Sequence, residues 1–140
     1  MKKLPKPYST LFEIAQKSRL NSYSPYSGCK VGAAIRTQSG ETYGGCNVEN
    51  ASYGGTICAE RVAIQKAVSE EGPKALIKEI LVVTDDKTPW TPCGLCRQVI
   101  QEFAASPKIP VLATNLQGDT LELTLGELLP HAFSREKLKK

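Results

Sequence analysis

The chain has 140 residues, 41% of them hydrophobic and 23% charged, with 11 glycines and 9 prolines. This is the composition of one globular domain over residues 1–140, and it argues against a disordered chain, a collagen-like repeat or a second domain. The formal net charge of +4 is mildly basic and does not by itself call for nucleic acid.

In chain order, Met1 to Tyr8 is rich in Lys and Pro with no apolar run behind it, so no secretory leader is expected. Thr10-x-x-Glu13 reads as a capping box opening a helix near 9–20. Asn21 to Gly28 is a loop. Val31 to Thr37 reads as a buried strand, Ser39-Gly40 as a turn, and Glu41 to Asn47 as the returning strand. Residues 48–57 read as a loop. Cys58 to Glu70 carries Val62, Ala63, Ala67 and Val68 at helical spacing, closed by Gly72-Pro73. Ile77 to Thr84 reads as a central strand and Leu95 to Ala105 as a helix. Val111 to Asn115 and Leu121 to Thr124 read as strands, joined either as a hairpin or by a crossover. Thr124-x-x-Glu127 caps a short last helix that Pro130 ends.

The order α-β-β-α-β-α-β-β-α favours a sheet of about five strands covered by helices. The longest apolar run, Ile80 to Val83, falls far short of the roughly 20 residues a membrane span needs. A cytoplasmic protein with no membrane partner is expected. Thiols stay reduced there, so cysteines more often bind metal or do chemistry than form bridges.

There are five cysteines: Cys29, Cys46, Cys58, Cys93 and Cys96. Cys93-x-x-Cys96 has the spacing of a metal clip, and alone it equally suits a redox pair. Cys58 precedes another predicted helix, and two helix N-termini aimed at one point favour thiolates. Three thiolates around Zn²⁺ leave a net negative charge. Arg61 and Arg97 are the candidates to compensate it by hydrogen bonds to sulfur. Structural zinc takes four protein ligands, whereas catalytic zinc takes three and keeps an open position. Three cysteines lean toward catalysis, since nothing in the spacing ties His131, the one histidine, to the clip. Glu60, two residues after Cys58, is placed to take a proton from water at such a position; taken alone, it is an ordinary acidic residue in a helix's first turn. Cys46 reads as a buried spectator in its strand, and Trp90 as packing against its loop without chemistry.

Cys58-Ala59-Glu60-Arg61 with Pro92-Cys93-Gly94-Leu95-Cys96-Arg97-Gln98 resembles the zinc nucleoside deaminases. Cysteine rather than histidine as first ligand is similar to the small free-cytidine deaminases, which form homotetramers. Tyr23 to Ser27, Val31 to Ala34, Gly45 to Tyr53 and Glu127 to Pro130 with Phe133 extend the resemblance over nearly the whole chain.

The resemblance implies a three-layer α-β-α cytidine deaminase-like fold with a five-stranded mixed sheet. It implies a hydrolase acting on the C–N bond of a cyclic amidine: cytidine and 2′-deoxycytidine become uridine and 2′-deoxyuridine with loss of ammonia, in pyrimidine salvage. One zinc per subunit would be held by Cys58, Cys93 and Cys96, with Glu60 as proton shuttle. Asn47 and Glu49 would bind a ribose hydroxyl and the Ala59 backbone the base. Ala51 and Tyr53 would reach a neighbouring subunit's site, and Phe133 would help cover it. The family usually carries an aromatic two residues before the Val-Gly-Ala-Ala strand, where this chain has Cys29. Cys29 is expected to serve as a small wall residue. The change makes a modified cytosine nucleoside the rival substrate.

Two readings compete. A structural zinc module needs a fourth ligand from His131 or another cysteine. A nucleic-acid deaminase would use the basic ends, Lys2, Lys3, Lys6, Arg135, Lys137, Lys139 and Lys140, but Glu136 interrupts them and no aromatic-interleaved basic patch is present. No nucleic-acid partner is expected.

Overall fold

The computed structural model describes residues 6–139; Lys2, Lys3 and Lys140 and the side chain of Lys6 lie outside what is described. Helix α1 spans Lys6–Arg19. It begins a turn earlier than the capping box predicts. Tyr8, Leu11, Phe12 and Ala15 are buried at i, i+3, i+4 and i+7, so the apolar stripe starts before Thr10 and holds that residue inside the helix. The chain continues through β1 (Gly32–Thr37), β2 (Thr42–Cys46), α2 (Ala59–Glu71), β3 (Ile77–Thr84), α3 (Gly94–Phe103), β4 (Pro110–Asn115), β5 (Thr120–Thr124) and α4 (Leu125–Leu128). Single 3-10 turns at Tyr53–Gly55 and Arg135–Leu138 carry no periodic signal and were not predicted.

The five strands lie in the order β2-β1-β3-β4-β5. Strand β1 pairs antiparallel with β2 and β3, β3 is parallel to β4 across the α3 connection, and β4 is antiparallel to β5. The last pair is therefore a hairpin. Gly118 turns it with φ 88°, and the Asn115 side-chain oxygen accepts the Asp119 N–H at 2.9 Å.

Alternation along the strands splits the core. Ala34, Leu81, Val83 and Leu112 meet Leu11, Phe12 and Ala15 of α1 on one face. Ile35, Ile80 and Val111 meet Ala63, Ile64 and Ala67 of α2, Ile100 of α3 and Leu125 of α4 on the other. The result is the mixed, three-layer α-β-α arrangement. Strand β3 is buried on both faces from Ile80 to Thr84, which is why its sequence runs apolar without alternation.

Gly45 of β2 fixes how near α2 comes. A Cβ there would collide with the backbone of Ala59 and Ala63, so only a bare strand lets the first turn of α2 rest on the sheet. That turn carries the chemistry described below.

At the other end of α2, one oxygen of Glu71 accepts from Thr37 Oγ1 (2.7 Å), Ser39 Oγ (2.9 Å) and Tyr43 OH (3.0 Å). These bonds, led by Thr37, hold the Glu71 carboxyl below the usual carboxylate range. A lowered folded pKa contributes stability above the unfolded pKa and loses it as pH falls through the folded pKa. Glu71→Ala is expected to lower the Tm at pH 7 by a few degrees, with the gap to wild type closing as pH falls below that of an ordinary carboxyl. Thermal unfolding followed by circular dichroism across that range checks it; a gap independent of pH sinks the assignment.

Candidate active site

Cys58 is the N-cap of α2 and Cys93 the N-cap of α3, both extended, and Cys96 lies in the first turn of α3. Cys93, after Pro92, is extended, and its carbonyl then accepts the Arg97 N–H at 2.9 Å as α3 begins. The two helix starts bring the three sulfurs together within 4.8 Å of one another, Cys58 and Cys93 at 4.0 Å. Among the described residues this is the one convergent group of His, Cys, Asp or Glu, and it holds three ligands. His131 is exposed in the left-handed turn after α4, at φ 53°, and is not in the group.

The donor set fits Zn²⁺. Sulfur ligands at tetrahedral spacing suit it, and three of them leave a fourth position open. A Cys96 S–H donated to Cys58, together with Arg61 and Cys93, draws the Cys58 thiol down to about 5. Cys96, buried and donating, is pushed up instead. Together the neighbouring thiols and Arg61 favour a thiolate in this group. Arg61 Nη2 lies 3.8 Å from Cys58 Sγ and donates to Thr56 O at 3.1 Å. Its Nε is buried without a partner. A spare cationic donor beside the sulfurs is what a centre of net negative charge requires.

Arg97 is not placed on the sulfurs. It donates to Pro92 O (2.7 Å), Thr91 Oγ1 (2.9 Å) and Leu128 O (2.9 Å), bracing the loop into Cys93 against the end of α4. Its position next to Cys96 in the sequence misleads, because adjacent helical residues point about 100° apart.

Glu60 is only 4% exposed. Burial, with the Cys58 thiolate nearby, pushes its carboxyl up to about 7. A divalent cation on the sulfurs pulls the other way.

A cavity of about 250 Å³ opens beside these groups, with Cys58, Cys93, Glu60, Ala59, Asn47 and Glu49 on its wall. The remaining wall includes Val31, Thr56, Val82, Trp90 and Thr91, none of which was singled out from sequence as a wall residue. Asn47 is buried and ties down the segment before β1: its Oδ1 accepts Val31 N–H and its Nδ2 donates to Cys29 O, both at 2.9 Å. Glu49 accepts from Tyr26 N–H at 2.9 Å, from Ser27 N–H at 3.2 Å and from the Ser27 hydroxyl. These bonds, led by the Ser27 hydroxyl, hold its carboxyl below the usual range.

Four of the expected groups lie off this chain's own cavity wall, three of them the residues expected to serve a neighbouring subunit's site. Ala51, Tyr53 and Phe133 are exposed and line no part of this chain's own cavity. Cys29 is half-buried, with its sulfur 3.7 Å from Ser27 O, and is not on the wall, which Val31 supplies two residues later. Cys46 is half-buried in β2 rather than buried.

The family model for the cytidine and deoxycytidylate deaminase zinc-binding region matches residues 5–113. A cytidine deaminase from Sporosarcina psychrophila is 49% identical over 128 residues, covering 91% of this chain and 92% of its own. A cytidine deaminase from Halalkalibacterium halodurans is 47% identical, covering 91% and 95%. The crystal structure of cytidine deaminase from Burkholderia pseudomallei superposes with a TM-score of 0.81 at 46% identity, covering 89% of this chain and 97% of that one. With its three-cysteine centre and five-stranded mixed sheet, the chain belongs to the zinc-binding cytidine and deoxycytidylate deaminase family.

Proposed function

We propose that the protein hydrolyses the exocyclic C–N bond of cytidine and 2′-deoxycytidine, giving uridine or 2′-deoxyuridine and ammonia. The observation that carries this reading is a buried carboxylate, Glu60, beside a three-thiol centre on the wall of a cavity the size of a small ligand. Cys58, Cys93 and Cys96 would hold Zn²⁺, which when bound lowers the pKa of water toward neutrality. Glu60 takes one proton from the attacking water and delivers it to N3 of the pyrimidine. The water oxygen bonds to C4. Glu60 then carries the second proton to the departing amino nitrogen, and the C4–N bond breaks. The exchange balances as cytidine plus water giving uridine plus ammonia, with Glu60 returned to its starting state.

Asn47 has spent one N–H and one lone pair on the chain, which leaves one N–H for a ribose hydroxyl. Glu49 accepts from the same hydroxyl while its other bonds keep it ionised. Ala59, first residue of α2, offers a backbone N–H that the helix itself does not use.

A homotetramer acting in the cytoplasm completes the reading. Tyr53 is 77% and Phe133 57% exposed, apolar area that a neighbouring copy would cover while they complete its site. Among the described residues no helix is long and apolar enough to cross a membrane. Zinc-loaded protein is expected to release ammonia and uridine from cytidine in equal amounts, and to elute as a tetramer in light scattering. Zinc-loaded, folded protein without turnover sinks the substrate assignment and moves the test to cytosine nucleosides modified on the base. A monomer removes the cross-subunit roles of Ala51, Tyr53 and Phe133.

A further inference from the structure

The cavity wall carries one aromatic ring among the described residues, Trp90. No ring reaches it from the segment before β1: Tyr23 and Tyr26 are exposed and off the wall, and Cys29 is off it too. Trp90 sits in the connection between β3 and α3, two residues before Pro92. Its Nε1 donates to Asp86 Oδ2 at 2.7 Å, so the polar end of the indole is satisfied within the loop. The loop is anchored at its start. Arg19 pairs with Asp85 and donates to Lys30 O at 3.1 Å, and Asn115 Nδ2 donates to Lys87 O at 2.9 Å. Trp90 is 39% exposed and shares the cavity wall with Glu60 and Cys93.

A held, part-open indole on an otherwise aliphatic and polar wall is a surface for a flat heteroaromatic ring. We propose that Trp90 is the base platform of this site, packing against the pyrimidine, and that Asp86 is the positioning residue that sets the indole. This rests on the deaminase reading and adds to it a specificity-determining contact: the ligand must be a planar base, and a sugar alone does not engage it.

Trp90 is the chain's single tryptophan, so indole emission reports this position alone. With zinc-loaded wild type, uridine is expected to change that emission saturably, and free ribose is expected to leave it unmoved. Trp90→Ala is expected to raise KM for cytidine about tenfold with a smaller change in kcat, and Trp90→Phe to recover most of the loss. Asp86→Ala is expected to raise KM several-fold and shift the emission of the free protein, with zinc content unchanged. Should Trp90→Ala fail to fold, the wild-type titration and Asp86→Ala still decide. Emission unmoved at uridine concentrations that inhibit turnover, or an unchanged KM in Asp86→Ala, overturns the platform while leaving the deaminase reading intact. A wild type that neither turns over cytidine nor binds uridine overturns both.

Discussion

Glu60→Gln is expected to lower cytidine turnover by roughly 10²–10⁴-fold or more, the range for loss of a general acid–base, while one zinc per chain is retained. The side chain is 4% exposed and lines the cavity beside Cys58 and Cys93. Glutamine fills the same volume and hydrogen-bonds, but it neither takes a proton nor returns one. The fold tolerates the change because a neutral amide costs less to bury than a carboxylate. Initial rates together with metal analysis of the same preparation check the result. Wild-type rates exclude the proton-transfer role. Loss of zinc with activity assigns Glu60 to holding the centre instead.

Cys96→Ala is expected to lose zinc almost completely, and all turnover with it. Cys96 is fully buried in the first turn of α3, within 4.8 Å of the other two sulfurs. Its removal leaves two ligands, and His131 stands apart from the centre, so no side chain of the described residues replaces it. Alanine suits a helix interior, so α3 persists and far-UV circular dichroism is expected to match wild type. Stoichiometric zinc in the purified variant contradicts the ligand set. Zinc loss with wild-type turnover contradicts the role of the metal.

Much of the architecture was legible because this chain is locally consistent. The Ile77–Thr84 run, the Ser39-Gly40 turn, the Gly72-Pro73 stop and the Thr124-x-x-Glu127 box each appear where the sequence places them. The start of α1 was misread because Thr10 and Glu13 satisfy a capping rule that knows nothing of the sheet. Packing of Tyr8 and Leu11 under β3 and β4 decides that end. The β4–β5 connection was open because parallel and antiparallel strands share the same local pattern. Only pairing distinguishes them.

The site divides along the same line. The candidate donor set was legible in the sequence: three thiols, a glutamate two residues from the first, and an arginine one turn along the same helix. The place of each at its own helix start is local, whereas bringing Cys58 onto Cys93 and Cys96 depends on how α2 and α3 dock, with Gly45 letting α2 close on β2. Tertiary structure alone decided which groups face the cavity. It turned Arg97 away to Pro92 and Leu128, spent part of the Asn47 amide on Cys29 and Val31, left Cys29 off the wall and put Trp90 on it. These outcomes depend on where two loops distant in sequence meet over the ends of β1 and β3. A side chain's direction across such a gap is set by packing, which no residue type or spacing encodes.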